Sequence, residues 1–346
     1  METPARCAAR REFTLSWAFA QTCISGKFQR VIGLRSYPII QVLLNFKRSR
    51  ISRCMDSIEE QAPAIGIIGG SGLYEMEGLE KITPLDISTP FGEPSDAIIQ
   101  GYLGGRRVCF LPRHGVGHRL LPHEINHRAN IWALRSLNVR WVISVTAVGS
   151  LREQIAPREL VIPDQLIDRT ATAAKHTFFG NGIAAHIGFA DPYCNELREI
   201  ITASARNHLA NVHASGTYLC MNGPAFSTRA EAAMHRMLGA DIIGMTNGPE
   251  ARLCREAEIS AATMAWVTDY DCWKEDEAAV EVEAVIANLH ANSAMAKTIL
   301  LDVISKIPAQ PASPSHRALD TAIFTPVSKW PEETLEKLRP ILSRFL

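Results

Sequence analysis

Side chains that could bind an oxyanion stand at the ends of several short apolar runs. Ser71, Arg113, Thr146 and Thr246 occupy such positions. Ser71 lies within a glycine-rich loop, and the backbone N–H groups of such a loop form a nest for an anion. Hydroxyls add donors, and a guanidinium presents a planar fork to a tetrahedral anion. These residue types predict a phosphate site built from several separate turns.

A pair of carboxylates, Asp269 and Asp271, follows another apolar run. Carboxylates can accept hydrogen bonds from the ring and exocyclic N–H groups of a nitrogenous base. An aspartate beside a ring nitrogen could also hold or deliver the proton that a departing base needs. The alternative is a helix cap followed by an acidic surface segment.

Two other kinds of site are disfavoured. The glycine loop lacks the Gly-Lys-Ser/Thr of a nucleoside-triphosphatase loop, and Glu75 stands where a dinucleotide fingerprint needs its third glycine. His114/His118 and His123/His127 have i, i+4 spacing, but glycines interrupt the first pair and the second has no Glu general-base pattern. No metal site is therefore predicted.

Strand-like and helix-like segments alternate from residue 64 to about 306, which predicts an α/β sandwich around a largely parallel sheet. Ligands of such sheets bind at the carboxyl ends of the strands. The predicted strands are 64–69, 107–111, 140–146, 159–163, 216–221, 241–245 and 260–268, and the predicted helices 124–137, 193–210, 229–238, 249–258 and 276–306.

Composition divides the chain into three segments: a basic extension at 1–54, a folded domain at 55–307, and a linker with a C-terminal helix at 308–346. The extension has ten Lys or Arg and two acids, so the remainder has 26 basic and 34 acidic residues. An acidic body disfavours nucleic-acid binding, and no apolar run is long enough to span a membrane. The eight scattered cysteines favour reduced thiols. A cytoplasmic protein is expected, or a mitochondrial one if the extension is a transit peptide.

Eight ordered motifs resemble the 5′-methylthioadenosine phosphorylase family, within the trimeric branch of the purine nucleoside phosphorylases. They are GIIGGSGL (66–73), TPFGEPSD (89–96), RHG (113–115), ANIWAL (129–134), GSLRE (149–153), DQLIDRT (164–170), STRAE (227–231) and TDYDCWKE (268–275). The resemblance implies a three-layer α/β/α sandwich with a mixed, largely parallel sheet. It also implies phosphorolysis of 5′-methylthioadenosine to adenine and 5-methylthioribose 1-phosphate, by a homotrimer that uses no metal or organic cofactor.

The resemblance also assigns roles to individual residues. Asp269 would be the catalytic residue and would bind the purine at N7 and the 6-amino group, with Tyr270 and Asp271 beside it. Inorganic phosphate, the co-substrate, would be bound by Ser71, Arg113, His114, Thr146, Ala147 and Thr246. The nucleoside would contact Met245 at the ribose, Phe226 and Ser227 at the purine, Val280 and Val282 at the 5′ group, and His186 from a neighbouring subunit.

The sequence departs from the family at Ala225, where Gly-Pro-Arg-Phe is usual, and at Asn247–Gly248, where Thr-Val often precedes Pro-Glu. Two alternatives therefore stay open. One is a phosphorylase of 6-oxopurine nucleosides or methylthioinosine, and the other is a non-catalytic nucleotide-binding protein.

Overall fold

The computed structural model describes residues 62–70, 73, 76–170, 176–274 and 282–346, without the side chains of 282–286. The whole predicted extension at 1–54 lies outside the described residues. No helix in the described ranges combines the length and hydropathy of a membrane span.

Eleven strands of the described chain belong to one sheet. They are β1 (Ala64–Gly69), β2 (Glu80–Leu85), β3 (Ile98–Leu103), β4 (Arg106–Pro112), β5 (Val139–Ser150), β6 (Leu160–Val161), β7 (Gln165–Asp168), β8 (Val212–His213), β9 (Thr217–Cys220), β10 (Ile242–Gly244) and β11 (Ser260–Asp269). The α-helices are α1 (His127–Ser136), α2 (Asn195–Arg206), α3 (Arg229–Met237), α4 (Asn247–Glu256), α5 (Val282–Lys306) and α6 (Glu332–Leu342).

The sheet is mixed and largely parallel, as predicted. Its main path runs β2-β3-β4-β1-β5-β10-β9-β7, and β11 pairs with β5 and β6. Strands β4, β1, β5 and β11 are parallel where they pair, whereas β10 runs antiparallel to the end of β5. This topology brings the carboxyl ends of the central strands to one edge, where a ligand site is expected.

Helices cover both faces of the sheet and complete three layers. Alternate residues of each central strand point to opposite faces, so Ile67 and Ile143 pack with α2 and α5, while Ile68 and Val142 pack with α1, α4 and α6. Strands buried on both sides need continuous apolar sequence, and β1 is buried at all six positions.

Strand β5 is longer than predicted, and four strands were missed. Thr146 and Ala147 lie inside β5, which continues to Ser150 because β11 pairs with it as far as Gly149. Strand β2 is an edge strand with five exposed residues, so its sequence lacks apolar alternation. The others missed are β3, β7 and the two-residue β8.

The segment after α5 packs on the α1 face of the sheet. Leu338 and Ile341 of α6 are buried in the same cluster as Leu134. The Trp132 indole of α1 donates to the Lys337 carbonyl at 2.8 Å. The C-terminal helix therefore supports the helix that begins at His127.

Candidate active site

The loop after β4 lies beside the end of β1. Gly69 is paired with Pro112, and the Arg113 N–H donates to the Gly69 carbonyl at 2.9 Å. The structure thus brings the first two predicted phosphate-binding turns together. Ser71 itself, with Gly72, lies outside the described residues, as does Val280; Val282 begins α5, but its side chain is not described.

Arg113 is buried and bonded to Glu250 of α4. Its Nε donates to Glu250 Oε1 at 2.5 Å and its Nη2 to Oε2 at 3.0 Å. The Ser144 hydroxyl accepts from Nη2 at 2.6 Å and also donates to Glu250. Burial disfavours both charges, but their mutual attraction outweighs it, so the pKa of Glu250 is lowered and that of Arg113 is raised. Arg113 therefore connects β5 to α4 through hydrogen bonds and an ion pair. The sequence did not indicate this structural role.

Among the described residues, one Arg113 amine finds a single acceptor. Nη1 donates to the Val145 carbonyl at 3.0 Å, and it carries a second hydrogen. Val145 precedes Thr146 on β5, so this nitrogen lies beside a residue that was predicted to bind phosphate.

His114 is held as a neutral imidazole. Its Nδ1 lies 2.9 Å from the Leu120 carbonyl, which can only accept, so Nδ1 carries the proton and Nε2 has the lone pair. Burial lowers the pKa of His114 to about 4, and its ring stacks on His118 with centroids 4.2 Å apart. Nε2 can thus accept a hydrogen bond from the P–OH group of hydrogen phosphate.

Thr146 and Ala147 lie on β5, and Thr246 lies just after β10. Thr146 is buried, yet Ala147 is exposed although the residues on both sides of it on β5 are buried. Thr246 is buried and immediately precedes α4, whose N-terminus carries a partial positive charge. These three residues therefore offer hydroxyls, backbone donors and a favourable dipole to an anion.

Two further hydrogen bonds hold the N-terminus of α4. The Asn247 side chain accepts from the Tyr193 hydroxyl at 2.6 Å and donates to Thr263 at 2.8 Å. A Cβ at Gly248 would lie 2.8 Å from the carboxyl carbon of Asp168. The unusual Asn247–Gly248 pair thus fits its surroundings, because Gly248 leaves room for the Asp168 carboxylate.

Asp269 and Asp271 meet at the end of β11, over Gly149 of β5. A Cβ on Gly149 would lie 3.2 Å from Asp269 Oδ1 and 3.4 Å from Asp271 Cβ. The Asp271 N–H donates to Asp269 Oδ1 at 2.8 Å. Burial and the nearby Asp269 raise the pKa of Asp271 to about 6, against the lowering effect of a hydrogen bond from Ser227.

The predicted purine and ribose contacts lie on neighbouring turns. A Cβ at Gly223 would lie 2.4 Å from the Met245 sulfur, so the Gly223–Pro224 turn, which contains a cis peptide bond, approaches Met245 closely. Ser227 follows Phe226, whose side chain is 78% exposed. Tyr270 is buried, with its ring 5.9 Å from that of Trp273, and its contact with the nucleoside stays a prediction.

His186 lies on an exposed segment. Its ring packs edge-on against Phe324, 5.3 Å between centroids, and Phe324 is 70% exposed. Both aromatic rings therefore remain available to a neighbouring molecule.

A cavity of about 410 Å³ adjoins Met245 and contains polar side chains that the sequence reasoning missed. Thr170, His176 and Asn222 contribute to its lining. His127, at the start of α1, also lines it, and burial lowers the pKa of this imidazole to about 4. The i, i+4 spacing of His123 and His127 was the only signal in the sequence, and it was considered solely as a metal-ligand pattern and rejected. Among the described residues, no group of three His, Cys, Asp or Glu is arranged to hold a metal ion.

Comparison with known proteins identifies the family. The sequence model of the Phosphorylase superfamily matches residues 64–305. The S-methyl-5′-thioadenosine phosphorylase of Geobacter sulfurreducens is 52% identical over 282 residues, 82% of this chain and 99% of the relative. That of Hyperthermus butylicus is 53% identical over 248 residues, 71% of this chain and 89% of the relative.

Solved structures that resemble this chain indicate the same family. A methylthioadenosine phosphorylase from an Antarctic soil metagenomic library superposes with a TM-score of 0.78 at 48% identity, covering 82% of this chain and 100% of that one. The Schistosoma mansoni methylthioadenosine phosphorylase in complex with adenine gives 0.65 at 33% identity, covering 81% and 98%. The chain therefore belongs to the S-methyl-5′-thioadenosine phosphorylase family of the phosphorylase superfamily.

Proposed function

We propose that this protein cleaves 5′-methylthioadenosine with inorganic phosphate, releasing adenine and 5-methylthioribose 1-phosphate. The observation that carries the proposal is the placement of the Asp269–Asp271 pair over Gly149 of β5, the strand that also carries Thr146 and Ala147. Base-recognising carboxylates and anion-binding groups thus share one sheet edge. Family membership supports the same reaction.

Phosphate is the nucleophile in this proposal. It is held by Thr146, the Ala147 backbone, Thr246 and Arg113 Nη1, together with His114 and Ser71. Cleavage of the glycosidic bond builds positive charge on the sugar, and a phosphate dianion on the face opposite the base stabilises that charge before attacking C1′. The reaction uses no metal or organic cofactor, so dialysis against a chelator should leave the turnover unchanged.

The nucleoside lies between Met245 and the carboxylate pair. Met245 contacts the ribose, Phe226 and Ser227 contact the purine, and Asp269 accepts from the 6-amino group. By the family resemblance Val280 and Val282 would surround the methylthio group, which needs no hydrogen-bond partner. A nucleoside with a 5′-hydroxyl, such as adenosine, would bind more weakly, because this apolar pocket leaves the hydroxyl without a hydrogen-bond partner.

We also propose a homotrimer in the cytoplasm. The exposed His186–Phe324 pair supports assembly, because large exposed aromatic rings often mark an interface. In the trimer His186 would close the 5′ pocket of the next subunit. Sedimentation velocity of the full chain should give three times the monomer mass, and a monomer with full turnover would contradict the assembly.

A phosphate-dependent release assay tests the reaction itself. 5′-Methylthioadenosine, methylthioinosine, adenosine and inosine are each supplied with and without phosphate. Adenine release from 5′-methylthioadenosine that requires phosphate is expected. Hypoxanthine release without adenine release would overturn the substrate, and binding without any release would overturn the enzyme assignment.

Thr146→Val tests the phosphate contact by removing one hydroxyl at nearly constant volume. A hydrogen bond to a charged group contributes about 1.5–3 kcal/mol, so the KM for phosphate should rise about tenfold or more. The matched control is Thr298→Val on the exposed side of α5, which should leave this KM unchanged. An unaltered KM in Thr146→Val would exclude the contact.

A further inference from the structure

The Tyr218 hydroxyl on β9 is buried away from water. The side chain is fully buried, and its oxygen finds no hydrogen-bond partner of acceptable geometry among the described residues. A hydroxyl that leaves water without gaining a partner is unfavourable. Because buried polar groups are nearly always bonded, a tyrosine rather than a phenylalanine at this position indicates that the oxygen meets a partner when a ligand is bound.

The hydroxyl extends from β9 over β10 toward β5. A Cβ at Gly244 of β10 would overlap the hydroxyl oxygen and lie 2.7 Å from Tyr218 Cζ, so the ring uses the space of a missing side chain. The same Cβ would lie 3.4 Å from Cγ1 of Val148 on β5. Thr146 and Val148 are two positions apart on β5 and therefore share a face of this strand. The Tyr218 hydroxyl thus approaches the face of β5 that carries Thr146.

The surroundings of the phenol keep it protonated. Burial raises the pKa of Tyr218, and the Cys220 and Glu250 side chains act in the same direction. Arg113 and the Thr146 hydroxyl oppose this rise, but the pKa stays above its ordinary value of 10. The phenol is therefore neutral at physiological pH and has one hydrogen to donate.

The Thr146 hydroxyl can be reoriented by an anion. Its Oγ1 donates to the Ala147 carbonyl at 3.3 Å, which is long for a bond from a hydroxyl. A charged phosphate oxygen is a stronger acceptor than a carbonyl, so this hydrogen should turn to phosphate when phosphate binds. Thr146 is already close enough to influence the Tyr218 pKa as a hydrogen-bonding group, although the two hydroxyls do not yet have the geometry of a bond.

We propose that Tyr218 is a positioning residue for phosphate: its hydroxyl donates to Thr146 Oγ1, and Thr146 in turn donates to the bound anion. The inference rests on the proposed function, because it takes phosphate as the second substrate. Two hydroxyls in series polarise each other, which strengthens the bond to phosphate. An oxygen that accepts from Tyr218 also presents its own hydrogen outward. Both hydroxyls keep their protons throughout.

Tyr218→Phe tests the inner bond by removing one oxygen and keeping the ring. The KM for phosphate should rise about two- to tenfold, which is the range of one neutral hydrogen bond. The KM for 5′-methylthioadenosine at saturating phosphate should change by less than about twofold. The matched control is Tyr102→Phe on β3, where the ring lies 5.5 Å from Lys81 Nζ; it should leave both KM values unchanged. An unaltered KM for phosphate in Tyr218→Phe would overturn the proposal.

The stability of the unliganded protein separates this role from a structural one. A hydroxyl that stabilises the fold lowers the melting temperature, Tm, when it is removed. The Tyr218 oxygen is unpaired in the described part of the unliganded chain, so Tyr218→Phe should have the Tm of the wild type or a higher one. Added phosphate should raise the Tm of the wild type more than that of the variant. A lower Tm without phosphate, followed by an equal rise on adding it, would show that the oxygen is structural.

A double-mutant cycle tests the outer bond, from Thr146 to phosphate. In Thr146→Val the hydroxyl that connects Tyr218 to the anion is absent. Adding Tyr218→Phe to this variant should therefore leave the KM for phosphate where Thr146→Val alone puts it. An equal additional rise in both backgrounds would show that Tyr218 acts without Thr146, which would refute the proposed chain of hydroxyls.

The proposed function can fail separately. If the wild-type chain releases no adenine from 5′-methylthioadenosine in the presence of phosphate, the reaction assignment fails, and the phosphate-dependent Tm of the two proteins still tests Tyr218. If the wild type turns over and Tyr218→Phe has the same KM for phosphate, only the Tyr218 assignment fails.

Discussion

At the scale of single residues, the main difference from the sequence reasoning concerns Arg113. Its residue type predicted a phosphate ligand, but its ion-pair partner Glu250 lies 137 positions along the chain. Burying two charges is favourable only when each satisfies the other. Arg113 and Glu250 are both almost fully buried, so each depends on the other for the stability of the strand end.

Glu250→Ala should therefore destabilise the protein strongly, because it leaves the Arg113 charge buried without its partner. Breaking such a pair costs about 3–5 kcal/mol, measurable by urea unfolding with a constant m-value. Glu333→Ala is the control, since Glu333 pairs with Lys337 on the surface and its removal should change stability little. Equal effects in the two variants would contradict this account.

At the scale of elements, α4 connects the site to the segment that precedes α2. Glu256, near the end of α4, accepts from the Thr177 hydroxyl at 2.8 Å and from the Phe178 N–H at 2.7 Å. Burial raises the pKa of Glu256 to about 7, against the lowering effect of these two bonds. The folded chain thus favours the protonated carboxyl of Glu256 more than the unfolded chain does.

The raised pKa of Glu256 makes the free energy of unfolding depend on pH. Because the folded pKa of Glu256 is raised, its stabilising contribution is full below the ordinary value of 4.5 and is lost as pH rises through about 7. A shift of this size corresponds to about 3 kcal/mol. The stability of the wild type relative to Glu256→Gln should therefore fall by roughly this amount between pH 4 and 8 in urea unfolding. A pH-independent difference would show that Glu256 keeps one charge state.

The sequence predicted strands correctly where burial alone determined the pattern of residues. Strand β1 and the middle of β5 were found because burial on both faces requires continuous apolar residues. The end of β5 was missed, since its extension depends on pairing with β11, more than a hundred residues away. Likewise the position of Asp269 could be predicted from the strand-end rule, whereas the neutral His127 in the cavity wall could not, because it depends on tertiary packing.

At the scale of the whole molecule, the last residues close the α1 face of the sheet. Glu258, two residues after the end of α4, is fully buried. Its carboxylate accepts from Arg344 at 2.7 Å and 2.5 Å and from the Leu319 N–H at 2.9 Å. Arg344 also pairs with Asp320. The C-terminal segment is therefore held against the rest of the fold by the Arg344–Glu258 ion pair as well as by apolar contacts.

Arg344→Ala should leave the Glu258 carboxylate buried without its hydrogen-bonded cation. Removing one partner of a buried pair costs about 3–5 kcal/mol; because Arg344 is 29% exposed, an effect near the lower end is expected. Thermal unfolding measures it, with Arg317→Ala as the control, since Arg317 forms an exposed pair with Asp320. If both variants have the Tm of the wild type, the attachment of the C-terminal segment does not depend on the Arg344–Glu258 ion pair.

The low pKa of His114 and His127 has a consequence for how the enzyme senses acidity. Neither imidazole gains charge between pH 5 and 8, since burial keeps both pKa values at about 4. Over that interval the variables that can set phosphate affinity are the anion's own second ionisation and Asp271, whose pKa burial raises to about 6. Calorimetric titration of phosphate into Asp271→Asn should therefore give a dissociation constant that tracks the dianion fraction, and any steeper dependence would reveal another titrating protein group in the pocket.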